Sequence, residues 1–213
     1  IYRNFIDKTT PRAIGIGFPN GLNLAYSADN LAAELIWSGK FMDGGHHWTD
    51  RGAGNEPPAG TNVIKLSDGQ AVALAGATGT VVRFDRTKDE KEWKFSPASL
   101  AAEFKGYDLD KAGNPTFRSA GEGVTLSDAW APAVGGEKPS LNRTLKAGGD
   151  KPLVVTLARD LAVTGASEAS AELAGGLVVR VVSGPALKAD AATKTLTLTL
   201  KPGETAVLGY SFR

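Results

Sequence analysis

Residues 46–56 gather the side chains best able to do chemistry: His46, His47, Trp48, Asp50, Arg51, Asn55 and Glu56. His46 and His47 are the only histidines. Neighbouring side chains on an extended segment point to opposite faces, so one metal ion cannot easily take both. A site would need Asp43, Asp50 or Glu56 to complete a usual ligand set. We expect no metal here, with one His packed beside Trp48 and the other solvated. Trp48, in a polar and Gly-rich surround, offers an indole face that can stack on a sugar or a partner. Asp50, Arg51, Asn55 and Glu56 can hydrogen-bond the same ligand. The competing reading has Trp48 closing one end of the core.

Other clusters carry weaker signals. Asp108, Asp110 and Asn114, in DLDKAGN, begin like a calcium loop but lack its further carboxylate and closing Glu. A β-turn accounts for all three. The carboxylates Asp43, Asp50, Glu56, Asp108 and Asp128 are enough for a glycosidase pair, which must straddle the scissile bond at a set separation. Sequence spacing does not establish that separation. No G-x-S-x-G elbow occurs, and GATGT at residues 76–80 lacks the Lys of a phosphate loop. We assign no catalytic residue and no cofactor.

The elements that must position these groups are strands. AIGIGF and LNLAY flank the tight-turn sequence PNG, a hairpin signal. Gly15 and Gly17 within the first strand predict a bulky ring or backbone packed close. After the SADN turn, Ala33, Leu35 and Trp37 alternate as in a strand, although LAAEL favours a helix by propensity. The stretch from 43 to 60 is longer than the usual ~4–6-residue connection, and its Trp and prolines predict a packed loop. Ser96-Pro97 is a cap signal for one short helix over 97–104. From there to the C-terminus, short strands recur between Gly, Pro, Asp and Ser clusters, and TLTLTL alternates without a fault. Trp37 and Trp130 lie on such strands and are expected in the core.

This pattern predicts an all-β fold: a two-layer antiparallel sandwich with one short helix and one long aromatic, Gly/Pro-rich loop. A low-complexity stretch near 132–139 raises a subdivision there. One sandwich over 1–213 is preferred, because each half alone has few large apolar residues to bury. Of the 213 residues, 42% are hydrophobic and 22% charged, as in ordinary globular proteins. A net charge of +1 gives no field to attract nucleic acid. No run approaches the ~18 apolar residues of a membrane span. The absence of Cys removes disulfides, thiolate metal sites and covalent c-type haem. A start at Ile1 fits a processed product or a piece of a larger protein, and so an exported chain.

The blocks RAIGIGFPNGLNLAYSADN, WSGKFMD, HHWTDRG, PPAG and FKGYDLDKAGNPTF follow one another over residues 12–117. Together they resemble an uncharacterised all-β segment of large exported bacterial proteins. Those proteins also carry c-type cytochrome or sugar-dehydrogenase-like domains. The resemblance implies a periplasmic or extracellular setting and neighbouring domains or subunits as partners. It supplies no catalytic residues. The leading expectation is a non-catalytic accessory or interaction domain of an exported protein or complex, with glycan as its small ligand. Two alternatives stand beside it: a carbohydrate-active enzyme using loop carboxylates, and a structural subunit of an extracellular assembly.

Overall fold

Alternation decides the architecture. In TLTLTL the three leucines, Leu196, Leu198 and Leu200, are fully buried, while the threonines between them face outward. The same period of two recurs through most of the strands, which gives each sheet one apolar and one polar face. The structure, a computed structural model, describes residues 1–3, 5–45, 55–77, 101–121 and 123–213.

Strands β1 (Ala13–Gly17), β2 (Leu22–Ser27), β3 (Ala32–Ser38) and β4 (Thr61–Lys65) form a four-stranded antiparallel meander. Next come β5 (Val72–Leu74), β6 (Glu103–Leu109), β7 (Pro115–Gly121), β8 (Val124–Pro132) and β9 (Ser140–Gly149). They are followed by β10 (Leu153–Ala158), β11 (Val163–Ala166), β12 (Ser170–Leu173) and β13 (Leu177–Ser183). The chain closes with β14 (Lys188–Asp190), β15 (Thr195–Leu200) and β16 (Thr205–Phe212). A second four-stranded sheet has the order β14-β15-β10-β5. The eight-stranded sheet runs β11-β12-β13-β16-β9-β8-β7-β6, with β16 joining two meanders by pairing with both β13 and β9.

The eight-stranded sheet packs its inner face on the two smaller sheets, as in a sandwich. One apolar cluster takes residues from all three, among them Ile36, Leu126, Leu145, Leu153, Leu198 and Leu208. Rings lock the layers together: Tyr26 of β2 stacks on Phe117 of β7 at 3.8 Å between centroids. The two smaller sheets are stitched together by the segment after β4. Leu66 N donates to Glu34 O and Arg159 N to Leu66 O, while Ala71 N donates to Asn30 O and Thr156 N to Ala71 O.

The strand over 33–37 is present, extended to Ala32–Ser38, because β2 and β4 pair with both of its edges. The expected helix is absent over the described part of its span. Ala101 and Ala102 form a bend, and Glu103 and Phe104 already belong to β6. Pairing with β7 and packing of the Phe104 ring near Tyr26 and Phe117 override helix propensity there. Residues 97–100 lie outside the described residues.

Candidate functional site

Of the seven residues gathered at 46–56, the described residues include Asn55 and Glu56. His46, His47, Trp48, Asp50 and Arg51 lie outside them. Asn55 is exposed, whereas Glu56 is buried. Its backbone explains the burial: Glu56 N donates to Phe5 O, and Asp7 N donates to Glu56 O. The returning arm of the loop is thereby zipped to the N-terminal segment. Side chains of the N-terminal segment and of Phe41 and Met42, just before the loop, cover the outer face of the first sheet. Phe41 stacks parallel to the buried Trp37, with 5.9 Å between centroids, and takes Tyr2 edge-on. Trp37 Nε1 donates to Lys40 O at 3.0 Å. Glycines make room for the ring: a Cβ on Gly15 or Gly17 would lie 3.1 or 3.0 Å from Phe41. The cover over this small aromatic core therefore comes from the N-terminal segment and from Phe41 and Met42, while Glu56 is the buried residue of the loop's described part.

Of the candidate carboxylates, Asp43, Asp108 and Asp128 are already engaged. Asp128 and Arg143 form a buried bidentate pair, with Nη2–Oδ2 at 2.6 Å and Nε–Oδ1 at 2.9 Å. The guanidinium lies 5.0 Å over the Trp130 ring and donates to Tyr210 Oη at 3.4 Å. Burial pulls the Arg143 pKa down, but Asp128 and Tyr210 outweigh it, so the group stays charged. Burial likewise pushes Asp128 up against the pull of Arg143. Such a pair is costly to break from one side, by roughly 3–5 kcal/mol, and has no route to a substrate. Asp108 pairs with Arg118 on the surface. Asp110 folds back on its own hairpin turn, accepting from Ala112 N and Asn114 N at 2.8 Å and from Asn114 Nδ2 at 2.9 Å. Those bonds hold its pKa below the ordinary value. Asp43 accepts from Gly45 N at 3.0 Å. Among the described residues, no three His, Cys, Asp or Glu converge as a metal site would require.

One acid stands apart. A bulge in β3 opposes Ala25 and Tyr26 to Leu35 and Ala33, leaving Glu34 as the extra residue. Bulges re-aim side chains. Glu34 turns into a polar nest, where Oε2 accepts from Thr10 N at 3.0 Å and Oε1 from Asn30 Nδ2 at 2.7 Å. Burial raises its pKa to about 7, against the opposing pull of Asn30 and Thr10.

The surface able to meet a ligand is the outer face of the eight-stranded sheet. Pairing register sets its rows. Arg118, Ser127, Lys146 and Thr205 lie side by side across β7, β8, β9 and β16. The next row is Thr116, Ala129, Thr144 and Val207. A third places Ala131, Asn142, Gly209, Arg180 and Ser170 across β8, β9, β16, β13 and β12. Short polar or small side chains dominate, and no aromatic ring stands in these rows. Two hollows open on this face. One, of about 770 Å³, is lined by Ser140, Ser170, Glu172, Arg180, Ser211 and Arg213, among others. The other, of about 470 Å³, lies over β6 to β9 and is lined by Lys105, Arg118, Ser127 and Lys146. Arg213 pairs with Glu172, while Arg180 has no ion-pair partner among the described residues. Comparison with family models, curated proteins and solved structures finds no match to this chain.

The sequence does carry a signal for this face. Thr116, Arg118 and Ala120, or Asn142, Thr144 and Lys146, are the polar half of each alternating strand. What one strand cannot reveal is which residues of other strands stand beside them. Register does that, and it brings together groups far apart in the chain. Trp37 and Trp130 are fully buried, as their strand positions imply, and offer no stacking surface.

Proposed function

We propose that this chain is a non-catalytic binding module of an exported protein or complex, working in the periplasm or outside the cell. Its ligand is a glycan laid across the outer face of the eight-stranded sheet. The observation carrying this reading is the in-register platform of Ser, Thr, Asn and Ala with a hollow in each half, polar in one and cation-rimmed in the other. Hydroxyls, amides and guanidinium groups at fixed spacing exchange hydrogen bonds with sugar hydroxyls, and small neighbours let an extended chain approach. The resemblance to segments of large exported proteins supports the setting. Asp108, Asp110 and Asp128 are each held by groups of their own sandwich, which favours binding over hydrolysis.

The test is affinity electrophoresis and titration calorimetry against a panel of neutral and acidic polysaccharides. Retarded migration without release of reducing ends is expected. Thr144→Trp, placing a bulky ring in the middle of the platform, should abolish retardation while leaving the far-UV circular dichroism unchanged. Release of reducing ends by the wild-type protein would replace this reading with the enzymatic one, and no retardation by any glycan would end it.

A further inference from the structure

The hollow over β6 to β9 differs from its neighbour in charge. Its side chains include three cations, Lys105, Arg118 and Lys146, and no carboxylate. Between them stand the hydroxyls of Thr125 and Ser127. Arg118 and Lys146 share one row with Ser127 between them, two strand intervals apart, or about 10 Å. Lys105 extends the line to β6, where a register shift makes it the extra residue opposite β7. The floor is kept low. Ala120 pairs with Thr125, and Thr125 with Gly148, where a Cβ would come within 2.4 Å of Thr125 Oγ1.

We infer that this hollow is a subsite for a polyanionic glycan whose repeating carboxylates lie along the row of cations. The inference rests on the glycan reading above and narrows it. Arg118 already displays the geometry in question, holding the Asp108 carboxylate by Nε and Nη2, both at 3.2 Å. A forked, two-bond contact is how guanidinium recognises carboxylate. Both partners of that pair are more than half exposed. The Lys105–Glu103 pair is equally exposed, at 3.0 Å. Exposed pairs are held weakly, so an incoming carboxylate can share or displace the internal one at little cost. Lys146 has no ion-pair partner among the described residues and is the open charge of the row.

Charge complementarity selects the occupant. A nucleic acid would want rings for its bases to stack on, and this hollow has none. An acidic protein segment would want an aromatic or Met partner, and this hollow has neither. A neutral glycan would leave the Lys146 charge unanswered.

The experiment uses the whole chain with polygalacturonate as the polyuronate probe, a neutral β-glucan as control and a single-stranded oligonucleotide as competitor. Binding to polygalacturonate is expected, weakening steeply with added salt. Lys146→Gln and Arg118→Gln should each weaken it about tenfold, the loss typical of one charge-assisted hydrogen bond. Lys146→Arg should restore it. Lys188→Gln, on β14 of the second four-stranded sheet and away from this face, should change it little. Binding of the glucan with indifference to polygalacturonate overturns this inference and leaves the glycan reading intact. Binding of neither overturns both. Oligonucleotide binding that matches polygalacturonate in strength, and is lost with the same substitutions, overturns the choice of a glycan.

Discussion

Glu34 shows what a single residue can impose on the protein. Its carboxyl is buried, and burial raises its pKa from the ordinary 4.5 to about 7. Between those values the folded chain keeps a proton that the unfolded chain releases. A proton held by the folded state alone makes stability fall as pH rises. The stabilising share is complete below about pH 4.5 and is lost as pH climbs through about 7, amounting to about 3 kcal/mol. Urea unfolding at a series of pH values should show this slope, and Glu34→Gln should remove most of it. A smaller slope of the same sign should remain from Asp29, whose carboxyl burial also pushes up, against the pull of Arg12. An unchanged slope in the variant would place the titrating group elsewhere. Nothing in LAAELIW announces this behaviour. Glu34 reads as a helix former or a solvated strand residue until the bulge and the Ser27–Leu31 turn bring Thr10 and Asn30 to it. Arg143 was equally silent: its neighbours in β9 read as a plain alternating strand, and only pairing with β8 delivers Asp128.

At the scale of elements, the first sheet owes its outer covering to a ring lying on glycines. Phe41 occupies the space that side chains at 15 and 17 would need. Phe41→Ala should cost about 3 kcal/mol, because Trp37 and Tyr2 lose their shared partner. Gly17→Ala should destabilise the wild type by crowding the ring, yet be harmless or mildly stabilising in the Phe41→Ala background. Equal effects of Gly17→Ala in both backgrounds would mean that the glycine is there for its backbone alone. This element was legible in part. Glycines inside an alternating strand predict a close neighbour, and the neighbour is there, although sequence could not say which ring. The helix over 97–104 was misread at its end for the opposite reason. A cap signal is local, whereas Glu103 and Phe104 answer to the more distant β7.

For the whole molecule, alternation and turn chemistry were enough to reveal an all-β sandwich, since both are written locally in every strand. Strand order was not, because β16 reaches its place between β13 and β9 from the far end of the chain. Nor was the stretch near 132–139 fully legible, since low complexity marks a hairpin loop as readily as a boundary. Here β8 and β9 pair on both sides of it, from Val124 opposite Gly149 to Pro132 opposite Leu141. Separately expressed fragments 1–131 and 140–213 should therefore show no cooperative thermal transition, and a cooperative one in either would mark an independent unit. The two flanks of the eight-stranded sheet carry a last consequence. Its outermost strands among the described residues, β6 and β11, each break register, between Phe104 and Gly106 and between Val163 and Gly165. A straight, unbroken flank is a template on which another copy can add its own strand, and so on without end. A kinked flank carrying Glu103, Lys105 and Asp108 refuses that addition. Both described flanks of the broad sheet are thus bent out of the straight line that edge-to-edge growth needs.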